Sequence, residues 1–226
     1  MLSLPSLHLT RASKMRRFPG MTAMLGLLDV MSYALIQPTP AMVIMSLLLS
    51  LGPSATSARG LGVPSQVRID ADGPSLVLNG AGIRRVMASD VYVAALYLPN
   101  KTRSGKRILQ DDLPSRLYVR LLRDVSARQL DSSINDAFAD TSTAGEQLQL
   151  DERFRNFKAI LETSPEISMG TEIAMDYLPE WGTAVYVNGN QKGRIPGFDF
   201  RAALLRIWIG DRCSDARLKY ALLGGS

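Results

Sequence analysis

Apolar residues occupy both faces of segment 90–98, in the stretch DVYVAALYL. Successive side chains of a strand point to opposite faces, so this pattern predicts a strand that is covered on both sides. In segment 116–123, Leu117, Val119 and Leu121 share one face, and the other face is semi-polar. A strand of this kind is typical of a sheet that meets water or lines a pocket on one side.

Glycines interrupt the chain ahead of this pair of strands. Short strands are predicted at 66–70 and 75–78 around the turn sequence ADGP, and Gly80 and Gly82 then predict a glycine turn in LNGAGIRR. A strand rather than a helix follows, and the full GxGxxG pattern is missing, so these glycines do not form a dinucleotide-binding loop. Three later strands are expected near 171–177, 183–187 and 191–195.

Helical periodicity and capping residues predict one short helix and four longer ones. Ser126 is a candidate N-cap, Gly210 ends the penultimate helix, and Ser214 caps the last one. The predicted helices are 104–110, 127–139, 146–162, 197 or 199 to 209, and 214–224. Strands, two helices, strands and two helices in this order indicate an α+β fold with an antiparallel sheet, because alternating βαβ units are missing.

The first sixty residues have a different character. Residues 1–20 are basic, segment 41–52 is apolar and uncharged, and small residues follow in PSATSARG. This order is typical of a secretory signal, so we expect 1–59 to direct export, with cleavage near 55–58 and a periplasmic destination in a two-membrane bacterium. The alternative is an uncleaved membrane anchor, which would place the protein close to a membrane. Residues 60–226 then form the folded domain.

Composition excludes several classes of site. The only histidine of the 226 residues is His8, which rules out Ser-His-Asp catalysis and most zinc and haem sites in the folded domain. We therefore expect no metal and no cofactor. From Arg59 onward there are 22 basic and 20 acidic residues, a balance too even for a nucleic-acid surface. Cys213 is the only cysteine, so no internal disulfide forms.

Two arginines, Arg84 and Arg85, follow the glycines and enter an apolar stretch. Because neighbouring strand residues alternate, one of them must point to the covered side, where an unpaired guanidinium is costly. Its partner would be an internal carboxylate or a bound anion, unless the pair is only a solvated hairpin edge. Tyr92 and Tyr118 lie on strands where they could face the same side, although packing is the commoner role of a strand tyrosine.

The segments LNGAGIRRVMASDVYVAALYLP, RDVSARQLDSSINDAF and VYVNGNQKGRIPGFDFRAALLRIWIGDRCSDARLKYALLG together resemble the chalcone isomerase-like family over about 66–224. The resemblance implies an open-faced β-sandwich, with an antiparallel sheet, helices packed on one face and a ligand cleft between them. In that family an arginine after the Gly-Ala-Gly-aliphatic sequence holds a phenolate in the isomerases and a carboxylate in the fatty-acid binders.

By position that arginine is Arg84, and the family asparagine falls near Asn135. The other catalytic positions of the isomerases fall on different residue types: Tyr92, Arg128, Asp131 and Arg201. The sequence therefore favours a non-catalytic binder of an amphipathic anionic small molecule, a fatty acid or a phenolic compound. Its candidate ligand-binding residues are Arg84, Tyr92, Tyr118 and Asn135. The alternatives are an intramolecular lyase of chalcone isomerase type and an envelope-associated structural domain with a vestigial cleft; the oligomeric state stays open.

Overall fold

A computed structural model describes residues 60–162 and 167–225. The predicted export segment 1–59 lies outside these residues. Seven strands are β1 Gln66–Arg68, β2 Ser75–Val86, β3 Ser89–Leu98, β4 Ser115–Leu121, β5 Glu172–Leu178, β6 Gly182–Val187 and β7 Asn190–Ile195. Five helices are α1 Gly105–Gln110, α2 Ala127–Thr141, α3 Ala144–Glu162, α4 Phe198–Ile209 and α5 Ala216–Leu222.

The strands form one antiparallel sheet in the order β1 to β7, so every strand pairs with its neighbour in the chain. Helices pack on one face of this sheet only, where their apolar side chains join those of β3 to β7 in the larger core. A smaller apolar cluster around Val63, Leu76 and Tyr97 covers the other face without any helical residue. The α+β prediction with helices on one face is confirmed, as is the two-sided burial of β3.

Local sequence signals account for several elements. Ser126 and Gln129 form a reciprocal capping box at the start of α2, as the N-cap prediction requires. In the hairpin between β6 and β7, Asn188 and Gly189 both take positive φ angles of 49° and 76°. This is the backbone that the Asn-Gly signature predicts for a tight hairpin turn.

The predicted glycine turn is wrong. Strand β2 continues through Gly80 and Gly82, and the chain reverses only at residues 87–88. A Cβ atom at Gly80 would lie 2.0 Å from the carbonyl oxygen of Ala221, and one at Gly82 would lie 2.8 Å from the Ala221 Cβ. The glycines therefore let α5 pack directly on the strand, which is a close-approach role rather than a turn role.

The N-cap of the last helix also differs from the one predicted. Asp215, not Ser214, is the N-cap of α5, and its Oδ1 accepts a hydrogen bond from the backbone N–H of Leu218 at 2.9 Å. The Asp215 cap sets the start of α5, and the glycines of β2 let the rest of the helix pack on that strand. Within the described part of the chain, all five helices fall short of the length and hydropathy that a membrane span requires.

Candidate functional site

A cavity of about 550 Å³ lies between the helix-facing side of the sheet and helices α2 to α5. Its floor is apolar and comes from two strands and three helices: Val119, Leu121, Ile173, Met175, Phe157, Leu161, Ile207 and Leu218. Its rim is exposed and mostly polar: Val86, Arg123, Arg128, Gln129, Ser132, Ser133 and Ser214. An apolar body with a few polar groups at one end is the usual composition of a small-molecule site.

Arg84 lines this cavity, and Arg85 does not. The Arg84 side chain is 22% exposed, and its Nη1 lies 3.0 Å from Oδ2 of Asp215. Arg85 is 63% exposed and pairs with Asp90 across the hairpin at 2.6 Å. Strand alternation places Arg84 on the same face as Gly80 and Gly82, under α5. We expected one of the two arginines to face the covered side and to need a counter-charge, and Arg84 is that residue.

Asp215, the partner of Arg84, is held in place by the helix that it caps. Asp215 uses one carboxylate oxygen for the α5 cap and the other for Arg84. Burial alone would raise the pKa of this carboxyl, but the backbone N–H of Leu218 and the Arg84 guanidinium outweigh it and hold the pKa below its ordinary value. Asp215 is therefore ionised at neutral pH. A guanidinium carries five N–H donors, so a partner at Nη1 leaves donors for a second acceptor.

Tyr92 is the second polar group inside the cavity. Its hydroxyl oxygen accepts a hydrogen bond from Nε1 of Trp208, on α4, at 3.0 Å. Burial is the main cause that raises the pKa of Tyr92, against the opposing effects of Trp208 and Arg84. The phenol therefore stays protonated at neutral pH. Because Trp208 occupies an acceptor position, the hydroxyl hydrogen is free to donate to another group.

Tyr118 lies on the opposite face of the sheet, so the expectation that Tyr92 and Tyr118 share a face is wrong. The register pairs Tyr118 with Ala95, whereas Tyr92 pairs with Leu121, and paired residues of an antiparallel sheet lie on the same face. Tyr118 packs against the smaller apolar cluster. Burial and a hydrogen bond with Glu172 raise its pKa.

Asn135 is also outside the cavity. It is exposed on α2, where its side chain accepts a hydrogen bond from Lys158 of α3 at 2.7 Å and donates one to Asp131. Lys158 also pairs with Asp131 at 2.9 Å, so these three residues tie α2 to α3. Neither Asn135 nor Asp131 lines the cavity. Arg128 does, at the exposed rim.

Arg201, one of the positions whose residue type differs from that of the isomerases, is buried outside the cavity. Its Nε donates to Ser115 Oγ at 3.2 Å, and its Nη1 donates to the carbonyl of Ile108. Burial lowers its pKa to about 10. Arg201 thus joins α4 to α1 and β4, and its residue type has no bearing on catalysis in the cavity. The residues that α4 contributes to the lining are Ile207 and Trp208.

The polar and aromatic lining residues that the sequence did not single out as ligand-binding include Arg123, Arg128, Trp208 and Asp215. A capping signal was available for Asp215, since aspartate is one of the preferred N-cap residues. Its pairing with Arg84 was not readable, because the two residues are more than 130 positions apart. Helical periodicity places Trp208 or Ile209 on the inward face of α4, but it does not show that the indole N–H of Trp208 reaches Tyr92.

This arrangement can bind an amphipathic anion. Arg84 and the Tyr92 hydroxyl supply donors at one place, and the apolar floor can hold a hydrocarbon or an aromatic body. Among the described residues that line the cavity, Asp215 is the only carboxylate, and it is ionised and already bonded twice. A titrating general acid or base poised near neutral pH is therefore not present among these groups.

Comparisons with known proteins agree with this architecture. The profile of the chalcone isomerase-like family matches residues 55–224. The crystal structure of a fatty-acid binding protein of Arabidopsis thaliana superposes with a TM-score of 0.53 at 15% sequence identity, and the match covers 70% of this chain and 95% of the plant protein. At that identity the likeness establishes the fold. No curated protein sequence matches the chain significantly.

Proposed function

The chain belongs to the chalcone isomerase-like family, and on that premise we propose that it is a non-catalytic binder of an amphipathic anion, a fatty acid or a phenolic acid. The observation that carries the proposal is Arg84. Its half-buried guanidinium stands in a cavity with an apolar floor and is bonded to Asp215 through Nη1. The ligand head would lie against the remaining donors of Arg84 and the hydroxyl of Tyr92, and its apolar body would lie over the floor.

The cavity volume suits this class of ligand. About 550 Å³ falls within the range of roughly 300 to 1,000 Å³ that small-molecule pockets occupy. The name of the similar plant protein supports a fatty acid as the first compound to test. Arg123 and Arg128 at the rim add positive potential, so the lining contributed by the described residues includes three arginines and one carboxylate.

The isomerase alternative has less support. Cyclisation of a chalcone needs donors for the developing enolate as well as a cation for the phenolate. Tyr92, which pairs with Arg84 across β2 and β3, can supply one such donor, but the family's asparagine position, Asn135, lies outside the cavity. We expect no cyclisation of a 2′-hydroxychalcone above the rate of the Arg84→Met variant, measured by the loss of chalcone absorbance.

The binding proposal is tested by calorimetric titration with dodecanoate of the wild type, Arg84→Met and Arg85→Met. Methionine keeps the apolar stem of arginine, so loss of packing is limited. A charge-assisted hydrogen bond contributes about 1.5–3 kcal/mol. We therefore expect Arg84→Met to weaken binding by about 10- to 150-fold, while Arg85→Met stays near the wild type. Equal small effects, or the reverse order, would show that Arg84 is not the anion site.

We also propose that the protein is exported and periplasmic. The support is the order of basic, apolar and small residues in 1–59. N-terminal sequencing of the protein from its own host is the test, and we expect a first residue between 55 and 60. A terminus at Met1 or Met15 would favour the membrane-anchored alternative.

A further inference from the structure

Met87 is an unusual residue for its position. It lies at the tip of the β2–β3 hairpin, its side chain is 100% exposed, and its φ angle is +54°. Tight hairpin turns with positive φ favour glycine, asparagine or aspartate, because larger side chains are strained there. A large apolar side chain is thus held in water at a strained position, which is unfavourable for both solvation and backbone. Where other exposed apolar residues lie at the same end of the molecule, such a feature marks a surface for contact outside the folded chain.

The tip of the β2–β3 hairpin adjoins the rim of the cavity. Val86 directly precedes Met87, is 43% exposed, and is one of the cavity-lining residues. A ligand that enters over the rim therefore passes the apolar tip of this hairpin.

A second exposed methionine lies at the same end of the sheet. Met169, 68% exposed, donates its backbone N–H to Asp124 just beyond the end of β4. The backbone N–H of Leu122, which follows β4, donates to the carbonyl of Val91 near the start of β3. The start of β3 pairs in turn with the end of β2. From β2 to the chain entering β5 there are three strand spacings, roughly 14 Å. Met87 and Met169 therefore lie along the same end of the sheet, separated by the ends of β3 and β4.

Cations accompany the apolar residues at this end. Arg123 and Arg128 are exposed and line the mouth, and neither has a carboxylate partner within 4.0 Å among the described residues. Arg85, by contrast, is paired with Asp90. Exposed apolar side chains flanked by unpaired arginines are complementary to a bilayer surface, where hydrocarbon lies beneath anionic phosphates.

We propose that the cavity mouth, defined as Val86, Met87, Arg123, Arg128 and Met169, docks on an anionic lipid bilayer. The inference rests on the proposed function, because the bilayer is the place where a sparingly soluble amphipathic ligand is found. Met87 and Met169 would enter the interface, and Arg123 and Arg128 would contact lipid phosphates. The ligand would then pass between bilayer and cavity without crossing water.

A site-specific probe tests this on the full chain, so that any membrane contact of 1–59 is common to all variants. Cys213 is replaced by serine, and a single cysteine is placed at Met87 or, as the matched control, at Leu148. Leu148 is 82% exposed near the start of α3, about 20 Å along that helix from the cavity-lining Leu161. Each cysteine carries a nitrobenzoxadiazole dye, whose emission rises and shifts to the blue on entering hydrocarbon.

Phosphatidylglycerol vesicles should increase the emission at position 87 at least twofold and leave position 148 unchanged. Replacing Arg123 and Arg128 with glutamine should raise the lipid concentration needed for half the response several-fold. The same change at Lys101, which precedes α1, and Lys106, which lies in its first turn, should not, although both cations are exposed. Phosphatidylcholine vesicles should give a weaker response.

The proposal would be overturned if vesicles left the emission at position 87 unchanged or raised the emission at position 148 equally. It would also be overturned if the Lys101 and Lys106 changes raised the required lipid concentration as much as the Arg123 and Arg128 changes. A response at position 87 that grows with protein concentration in the absence of lipid would also overturn it, in favour of contact between two copies. Dodecanoate titration without vesicles separates the two proposals. If dodecanoate binds but position 87 is silent, only docking fails. If position 87 responds but dodecanoate does not bind, only the ligand proposal fails.

Discussion

Asp215 competes with the proposed ligand for Arg84, and replacing it with asparagine should tighten the binding of an anion. The amide of asparagine keeps an acceptor for the backbone N–H of Leu218, and asparagine is as good an N-cap as aspartate. Helix α5 therefore keeps its start, while the negative charge 3.0 Å from Arg84 disappears. The substitution isolates the charge at this position from the fold around it.

The magnitude follows from the geometry. A ligand carboxylate on the free donors of Arg84 would lie roughly 6 Å from Asp215, on the far side of the guanidinium. At that distance, and for a pair only partly screened by solvent, Coulomb repulsion is about 1–2 kcal/mol. Its removal should therefore lower the dissociation constant of dodecanoate by about 5- to 30-fold. Dodecanol, which has no charge, should bind both proteins equally.

Calorimetric titration of the wild type, Asp215→Asn and Asp90→Asn decides the matter. Asp90 is the matched control, since it is the partner of the exposed Arg85. Weaker or unchanged dodecanoate binding in Asp215→Asn, with the fold intact by circular dichroism, would refute the reasoning. It would mean either that Asp215 is needed to position Arg84 or that the anion binds elsewhere.

The ionisation of Asp215 also makes the stability of the folded protein depend on pH. The pKa of Asp215 is lower in the folded protein than its ordinary value of 3.8. The unfolded chain therefore takes up the proton first as the pH falls, and the stabilising contribution of the charge is fully present above about pH 5. The stability difference between the wild type and Asp215→Asn should shrink as the pH falls from 5 through the folded-state pKa. Urea denaturation of the two proteins at several pH values measures it; a difference independent of pH would contradict the pKa direction.

Two further predictions concern the supports of the site. Trp208→Phe keeps an aromatic ring but removes the hydrogen bond that positions the Tyr92 hydroxyl. If that positioning is worth one neutral hydrogen bond, about 0.5–1.5 kcal/mol, dodecanoate should bind about 2- to 12-fold more weakly in calorimetry; unchanged affinity would show that the Trp208 hydrogen bond does not position Tyr92 for the ligand. Gly80→Ala should destabilise the protein by about 1–3 kcal/mol in urea denaturation, because the new methyl group would force α5 away from β2. A neutral effect would mean that α5 does not rest on the strand as described.

Local chemistry made much of the fold predictable. The α2 cap at Ser126 and the Asn188–Gly189 hairpin follow from backbone rules that operate within a few residues. The buried stripe of α3 follows from helical spacing. Strand alternation also showed that one of Arg84 and Arg85 faces the covered side, and the family resemblance then selected Arg84.

Contacts distant in sequence account for the errors. Gly80 and Gly82 look like a turn in isolation, and only the position of Ala221 shows that they make room for a helix. The side of the sheet that Tyr118 faces depends on the register between β3 and β4, which no short pattern specifies. For the same reason the pairing of Arg84 with Asp215, and of Tyr92 with Trp208, appeared only with the tertiary structure.

The claim that an anionic ligand head lies on Arg84 is tested most directly by the ionisation of the ligand itself. Dodecanoic acid labelled with ¹³C at the carboxyl carbon reports its own protonation by chemical shift while bound. In the wild type, Arg84 should keep the bound carboxyl ionised, with a pKa at or below the ordinary carboxyl value of about 4. In Arg84→Met, burial without a cation should raise the pKa of the bound carboxyl well above that value. Identical titration curves in the two proteins would contradict the account.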